Sequence, residues 1–217
     1  MYDRRANGKV LSFGHTGVLH KNSFVMYDRQ TGSRWVQVTG EAEKGPLKGQ
    51  QLKFIPSTVT TWARWKQSYP NTLILPGYRR GAFIAYKGID YYEDVGLSVV
   101  VKFQAKLYPF LRLKRSTIVN DQFNGEDLFI IYSHESKIAT AWSRKLNGKT
   151  LTFKKMTEKD DEGNILIRDE QTGSSWSWLT GEAVEGELKG QRLKQLSYHP
   201  ILIERFHAFY PNGPVFR

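Results

Sequence analysis

Residues 30–53 read QTGSRWVQVTGEAEKGPLKGQQLK and residues 171–194 read QTGSSWSWLTGEAVEGELKGQRLK, with 16 of the 24 positions identical. A stretch used twice in one chain marks an internal repeat and restricts the fold to something built from two related units. The match extends outward. Residues 151–153 repeat 11–13, residues 165–168 stand where 25–27 stood, and 200–210 repeats a helical pattern. In that pattern Trp62, Trp65 and Tyr69 align with Ile203, Phe206 and Tyr210, and a proline follows the tyrosine in both copies. Exchange of Trp62 and Trp65 for Ile203 and Phe206 keeps apolar volume but not chemistry, which predicts core positions. Trp35 and Trp176 are unchanged between copies, as are Gly40 and Gly181, Gly45 and Gly186, and Gly49 and Gly190. Glycine at fixed offsets predicts turns that other residues would strain.

Short runs rich in Val, Thr, Tyr and Trp between glycines and prolines read as strands. They are expected at 9–13, 23–27, 34–39 and 52–55, with Gly14 and Gly17 punctuating the first connection. In the second half they are expected at 97–103, 118–119, 128–132 and 138–142, with a hairpin turn at 120–125 and a short helix or turn at 110–117. Ser57 reads as the N-cap of the first helix, which Pro70 ends. The fold class is therefore mainly β (α+β): two pseudo-repeated antiparallel β lobes, each closed by a short C-terminal helix. The organisation read from the pattern is a first, incomplete lobe over 1–76, a linker over 77–96 and a complete second lobe over 97–217. The second copy has about 50 residues (97–145) ahead of its Asn-Gly-Lys, the first only 1–6. The first lobe must then leave a sheet edge open, borrow strands from the second, self-associate or pair with a partner chain.

The chain is long enough for a substantial core, and its 40% apolar and 24% charged residues are ordinary for a globular protein. No apolar run approaches the roughly 20 residues that span a bilayer, so no transmembrane segment is expected. The first ten residues lack a signal peptide's apolar segment. Cysteine is absent, which excludes disulfides, thiolate nucleophiles and cysteine metal sites. The net charge of +11 suits an anionic partner, but the basic residues are scattered and no nucleic-acid-binding signature accompanies them. A solvated lysine-rich surface is the plainer reading, and nucleic acid is not the expected partner.

The segments DRQTGSRWVQVTGEAEKGPLKGQQL and TTWARWKQSYPNTLIL, followed by AKLYPF, IVND, IIYSHESKIATAWSR, LTF, RDEQTGSSW and FHAFYPN, run nearly the whole chain. In this ordered set the chain resembles the bacterial domain of unknown function 3179. The resemblance brings no established activity with it, and it implies an exported or lipid-anchored, hence extracytoplasmic, protein. Many relatives carry a Cys-Pro-Leu-Cys element, sometimes with selenocysteine, just upstream of the residues matching 2–5, which implies thiol redox chemistry there. The corresponding place in the second copy reads Ser133-His134-Glu135-Ser136. The chain thus resembles an N-terminally shortened member lacking that element. A further departure is Lys102 and Phe103, where relatives tend to have a Gly-Gly turn.

No residue set here has metal-ligand spacing, so neither a metal nor a cofactor is expected. His15 and His20 are five apart and face opposite sides of an ideal strand. Adjacent His134 and Glu135 diverge likewise, and His199, ahead of Pro200, reads as a helix cap. Glu41 and Glu182 follow Thr-Gly in both copies. Each is either a structural carboxylate in its glycine-rich turn or an acid held beside Trp35 or Trp176 in a cleft and perturbed by burial. Shared residues serve each lobe's fold more readily than one asymmetric site, which places Trp176, Glu182, Gly40 and Gly181 as structural repeat positions. A binding site is better sought where copy one differs: His20, Asn22, Arg29 and Gln37, with Trp35 as a wall and Glu41 beside it. The favoured reading is a non-catalytic binding or accessory module. One alternative is the scaffold of a thiol or selenol redox protein whose reactive element lies outside this chain. Another is a module binding anionic polymers through its basic surface.

Overall fold

The computed structural model of the chain describes residues 1–74, 93–134, 136–159 and 165–217. In chain order, β1 (Arg5–Ala6) and β2 (Lys9–Val10) form a short ribbon. The strands β3 (Phe13–His20), β4 (Ser23–Asp28), β5 (Arg34–Val36) and β6 (Ala42–Lys44) then make an antiparallel meander, and α1 (Trp62–Ser68) follows. The second half opens with β7 (Val95–Val101), β8 (Gln104–Pro109), α2 (Phe110–Arg115), β9 (Ile118–Phe123), β10 (Glu126–Ser133) and β11 (Ile138–Ser143). A second ribbon, β12 (Lys145–Leu146) with β13 (Lys149–Thr150), leads to a second four-stranded meander. This comprises β14 (Phe153–Lys159), β15 (Ile165–Asp169), β16 (Ser175–Ser177) and β17 (Ala183–Glu185). The chain ends with β18 (Ser197–Leu202) and α3 (Ile203–Phe209). The fold is mainly antiparallel β, as the residue pattern requires. Among the described residues no helix is long and apolar enough to cross a membrane.

The two meanders are tied by one hydrogen-bond scheme. Buried Asp28 accepts from Trp35 Nε1 (2.9 Å) and from the Thr31 backbone N–H (2.6 Å), while Ser33 Oγ accepts from Leu47 N (3.0 Å). Asp169, Trp176, Thr172, Ser174 and Leu188 repeat those contacts at 2.9, 2.6 and 3.0 Å. A buried carboxylate is tolerated only when its oxygens are satisfied, which explains why Asp, Thr, Ser and Trp persist together. Gly40 and Gly181 have φ of +72° and +66°, and a Cβ there would run into the Tyr2 and Trp142 rings respectively. The Tyr2 hydroxyl donates to Gln37 O (2.6 Å) as Trp142 Nε1 donates to Trp178 O (3.2 Å). Residues 1–4 thus take, in the first repeat, the place that 141–144 hold in the second. The N–H groups of Asp3 and Ser143 donate to Lys53 O and Lys194 O, both at 2.8 Å.

The strands of 93–143 form inner layers. Every residue of β7 is buried, as is every residue of β10 after Glu126. Alternation sends Leu97, Val99 and Val101 from one face of β7 against Leu128, Ile130 and Tyr132 from one face of β10. From the opposite face of β10, Phe129 and Ile131 join Trp142, Phe153 and Trp176. From the opposite face of β7, Val100 joins Leu107, Ile201 and Phe206 of α3, and Val38 and Phe54 of the first repeat pack on the same cluster. That cluster, about Phe206, is where the first repeat meets the second. The first repeat also has its own core of Leu11, Trp35, Ala42, Leu47 and Leu52.

Several boundaries differ from expectation, each for a local reason. Gly14 and Gly17 lie inside β3 rather than between strands. The β3–β4 pairing shifts register between His15 and Leu19, with Gly17 at φ +75°, and a Cβ on Gly14 would sit 2.6 Å from the Tyr27 ring. The stretch 52–55 makes only an isolated bridge, Tyr2 to Phe54. Thr61, not Ser57, caps α1, its Oγ1 accepting from Arg64 N. Trp62 is 50% exposed and α1 buries no residue, against the core role expected for it, whereas Phe206 is fully buried. Pro200 and His199 belong to β18 rather than to a helix start. β18 is an edge strand, where proline is tolerated, and it pairs with β7 from Ser197 to Leu202. β7 begins at Val95, two residues inside the expected linker; residues 77–92 of that linker lie outside the described residues. The β7–β8 hairpin closes through Lys102 and Phe103, with both residues at positive φ.

Candidate binding groove

The β3–β4 hairpin closes through Lys21 and Asn22, at φ 49° and 60°, and presents His20 and Lys21 at its tip. The tip leans on the C-terminal end of α3. Lys21 Nζ donates to Ala208 O at 2.7 Å, a cation on an unpaired helix-end carbonyl, and lies 5.9 Å from the centre of the Phe209 ring. With its carboxamide oxygen turned to Arg205, Asn22 accepts from both terminal guanidinium nitrogens, at 2.9 and 3.0 Å. His20 Nδ1 lies 2.7 Å from Glu43 Oε2 on β6 and its ring 6.4 Å from that of Phe209. The Nδ1–H bond to a carboxylate fixes the tautomer and leaves Nε2 for other partners. Between these elements is a cavity of about 310 Å³ lined by His20, Lys21, Glu41, Glu43, Lys48 and Phe209 among others.

Glu41 differs from its repeat partner in a telling way. Glu182 is held by Arg192 Nη2 at 2.6 Å, but the residue aligned with Arg192 is Gln51, whose Nε2 donates instead to Thr39 O at 3.0 Å. Glu41 is exposed rather than enclosed in a cleft beside Trp35, and its carboxylate takes no hydrogen bond among the described residues. An acid that has lost its cation while keeping its place on a cavity wall can accept hydrogen bonds from a ligand. Arranged so, the cavity offers one aromatic face, two cations and two carboxylates.

A family model described as Protein of unknown function (DUF3179) matches residues 1–94 and again residues 81–217. The chain belongs to the DUF3179 family. No curated protein and no solved structure matches it. In this DUF3179 chain the candidate residues divide by place. His20 and Glu41 share the groove, and Asn22 ties its rim to α3. Gln37 lines a separate cavity of about 160 Å³ with Tyr2, Phe54 and His199. Arg29 lies away from both, its guanidinium carbon 5.7 Å from the Tyr27 ring, and Trp35 is wholly buried in the core. Trp176, Gly40 and Gly181 sit in the repeated frame described above.

Of the groove residues that sequence reasoning missed, Glu43 and Phe209 carry the signal that found His20, whereas Lys48 aligns with Lys189 and carries none. Glu43 aligns with Val184 and Phe209 with Ser68, so both are positions where the copies differ. Phe209 was out of reach because it belongs to the second copy and only the fold brings it to the first. Of the remaining histidines, His15 Nδ1 accepts from Gly17 N (2.7 Å), and His134 Nε2 lies 3.1 Å from Thr117 Oγ1. Glu135 lies outside the described residues. His199 stacks parallel to Phe54 with ring centres 6.3 Å apart, and its enclosed Nε2 has no partner among the described residues. Burial pushes His199 down to about 4. Among the described residues no group of three or more His, Asp and Glu side chains is placed to hold a metal.

Proposed function

We propose that the chain is a non-catalytic binding or accessory module whose binding surface is the groove between the β3–β4 tip, β6 and the end of α3. The observation that carries this reading is Glu41, a carboxylate on the groove wall whose repeat counterpart is neutralised by Arg192 while it is not. The pairings of His20 with Glu43 and of Lys21 with Ala208 hold the surrounding polar groups in place before a ligand arrives, which lowers the ordering cost of binding. A concave site with a few fixed polar groups beside an aromatic ring is the usual form of a small-ligand site.

A thermal-shift survey tests it. A ligand at about a hundred times its Kd adds about 2.7 kcal/mol to stability, which is several degrees in Tm for a chain of this length. Compounds from several classes, charged and neutral, are added to the wild type and to Glu41→Ala. The expected result is that at least one class raises the wild-type Tm and that the rise shrinks in Glu41→Ala. Equal rises in both proteins, or none with any class, contradict the reading. The net charge of +11 favours a second reading as a module for anionic polymers. Retention on immobilised heparin that falls steeply with salt and survives Glu41→Ala would support that reading instead.

A further inference from the structure

Five hairpins among the described residues close through two-residue turns with φ positive at both positions. This geometry strains most residues with a Cβ, asparagine least, and Asn-Gly satisfies it best. Three of the five are Asn-Gly: Asn7 with Gly8, Asn124 with Gly125, and Asn147 with Gly148. The other two are Lys21 with Asn22, and Lys102 with Phe103 at φ 47° and 66°. The chain thus uses the low-strain solution in three places and departs from it in two.

The two exceptions flank one side chain. Lys21 lines the polar groove described above. Phe103 lines a second cavity, of about 260 Å³, whose wall also includes Gln104, Phe123, Phe209, Tyr210 and Asn212. Phe209 lines both cavities. Phe103 is 57% exposed, so little burial offsets its backbone strain. Strain held at an exposed aromatic beside a cavity is better explained by what the ring contacts than by folding.

We propose that the two cavities are a single site astride Phe209 and that its ligand is an uncharged oligosaccharide. This rests on the groove reading above and names its ligand class. Among the described residues no charged side chain lines the second cavity; its walls include aromatic rings, prolines and two carboxamides. The carbon-bound hydrogens of a pyranose face stack on such rings, and carboxamides both donate to and accept from its hydroxyls. On the groove side, Glu41 and Glu43 are acceptors that match clustered hydroxyl donors. A peptide backbone supplies a single N–H per residue and matches them less well. The sugar chain passes over Phe209, with one ring between Phe103 and Phe209 and the next against Glu41 and Glu43.

The test replaces the costly turn by the low-strain one, Lys102→Asn with Phe103→Gly. Exchanging two residues strained in left-handed backbone for the Asn-Gly pair that tolerates it raises Tm by about 2–4 °C, so loss of binding cannot be put down to unfolding. Wild type and variant are titrated calorimetrically with tetrasaccharides of glucose, galactose, mannose and N-acetylglucosamine, with the matching disaccharides, and with octaproline. The expected result is that the wild type binds at least one tetrasaccharide. The turn variant binds it about tenfold more weakly despite its higher Tm, while the disaccharide distinguishes the two proteins less. The proposal is overturned if no tetrasaccharide binds, if octaproline binds in their place, or if the variant keeps full affinity. A ligand of another class that stabilises the wild type but not Glu41→Ala would sink the saccharide assignment and leave the groove standing. No stabilising ligand of any class would sink both.

Discussion

His199 shows what a single side chain can contribute to the pH response of this fold. In the sequence it reads as a helix cap, because a histidine before proline and a helical pattern resembles a helix start. Pairing of β18 with β7 instead turns the ring inward against Phe54. Its ordinary value of 6.5 is lowered to about 4, so the unfolded chain binds more protons than the folded one between those limits. Stability from the neutral ring is therefore full above about pH 6.5 and is lost as pH falls toward 4, a difference on the order of 3 kcal/mol. His199→Phe keeps the stacking on Phe54 without the titration. Urea midpoints at pH 7, 5.5 and 4.5 should fall less steeply for the variant than for the wild type. Identical slopes would show that His199 has no part in the acid response. Asp28 acts lower on the pH scale. Burial alone would raise its carboxyl, but hydrogen bonds from Trp35 and Thr31 outweigh that and bring it below the usual range.

Among elements, most strands were legible, and the hairpin expected over 120–125 closes at Asn124 and Gly125 once β9 has run on to Phe123, because strand periodicity and turn chemistry are local properties. The helices were legible only in outline. Apolar residues at i, i+3 and i+7 placed Trp62, Trp65 and Tyr69 on one face, and the spacing is helical, but helical spacing does not say whether a partner surface exists. Beneath α3 lies the β18-β7-β8 sheet, so Phe206 is fully buried, whereas α1 buries nothing. Phe206→Ala should then cost about 3–5 kcal/mol and Trp62→Ala less than about 1 kcal/mol. Chemical denaturation of the two variants checks the contrast. Comparable losses would mean that the paired helices play equivalent parts after all.

At the scale of the whole molecule, duplication supplies the frame, and divergence between the copies marks the candidate groove. The frame, Asp28 with Trp35 and Asp169 with Trp176, could be read from identity between the copies. The groove could be read only in part. Comparing copies singles out His20, and applied to every position it singles out Glu43 and Phe209. It cannot show that the end of the second copy lies against a hairpin of the first. That apposition follows from the layering, in which Val38 and Phe54 of the first repeat pack on the cluster around Phe206 and so bring Phe209 beside His20 and Lys21. The central claim is that hairpin tips 81 residues apart in sequence, at Lys21 and Lys102, serve one ligand across Phe209. Amide chemical shifts of the 15N-labelled protein, followed while the tightest-binding of the four tetrasaccharides is added, test it most directly. The account predicts that the amides of Lys21, Asn22, Lys102 and Phe103 move together and saturate at one concentration. Movement at only one of the two turns, or at neither, would contradict it.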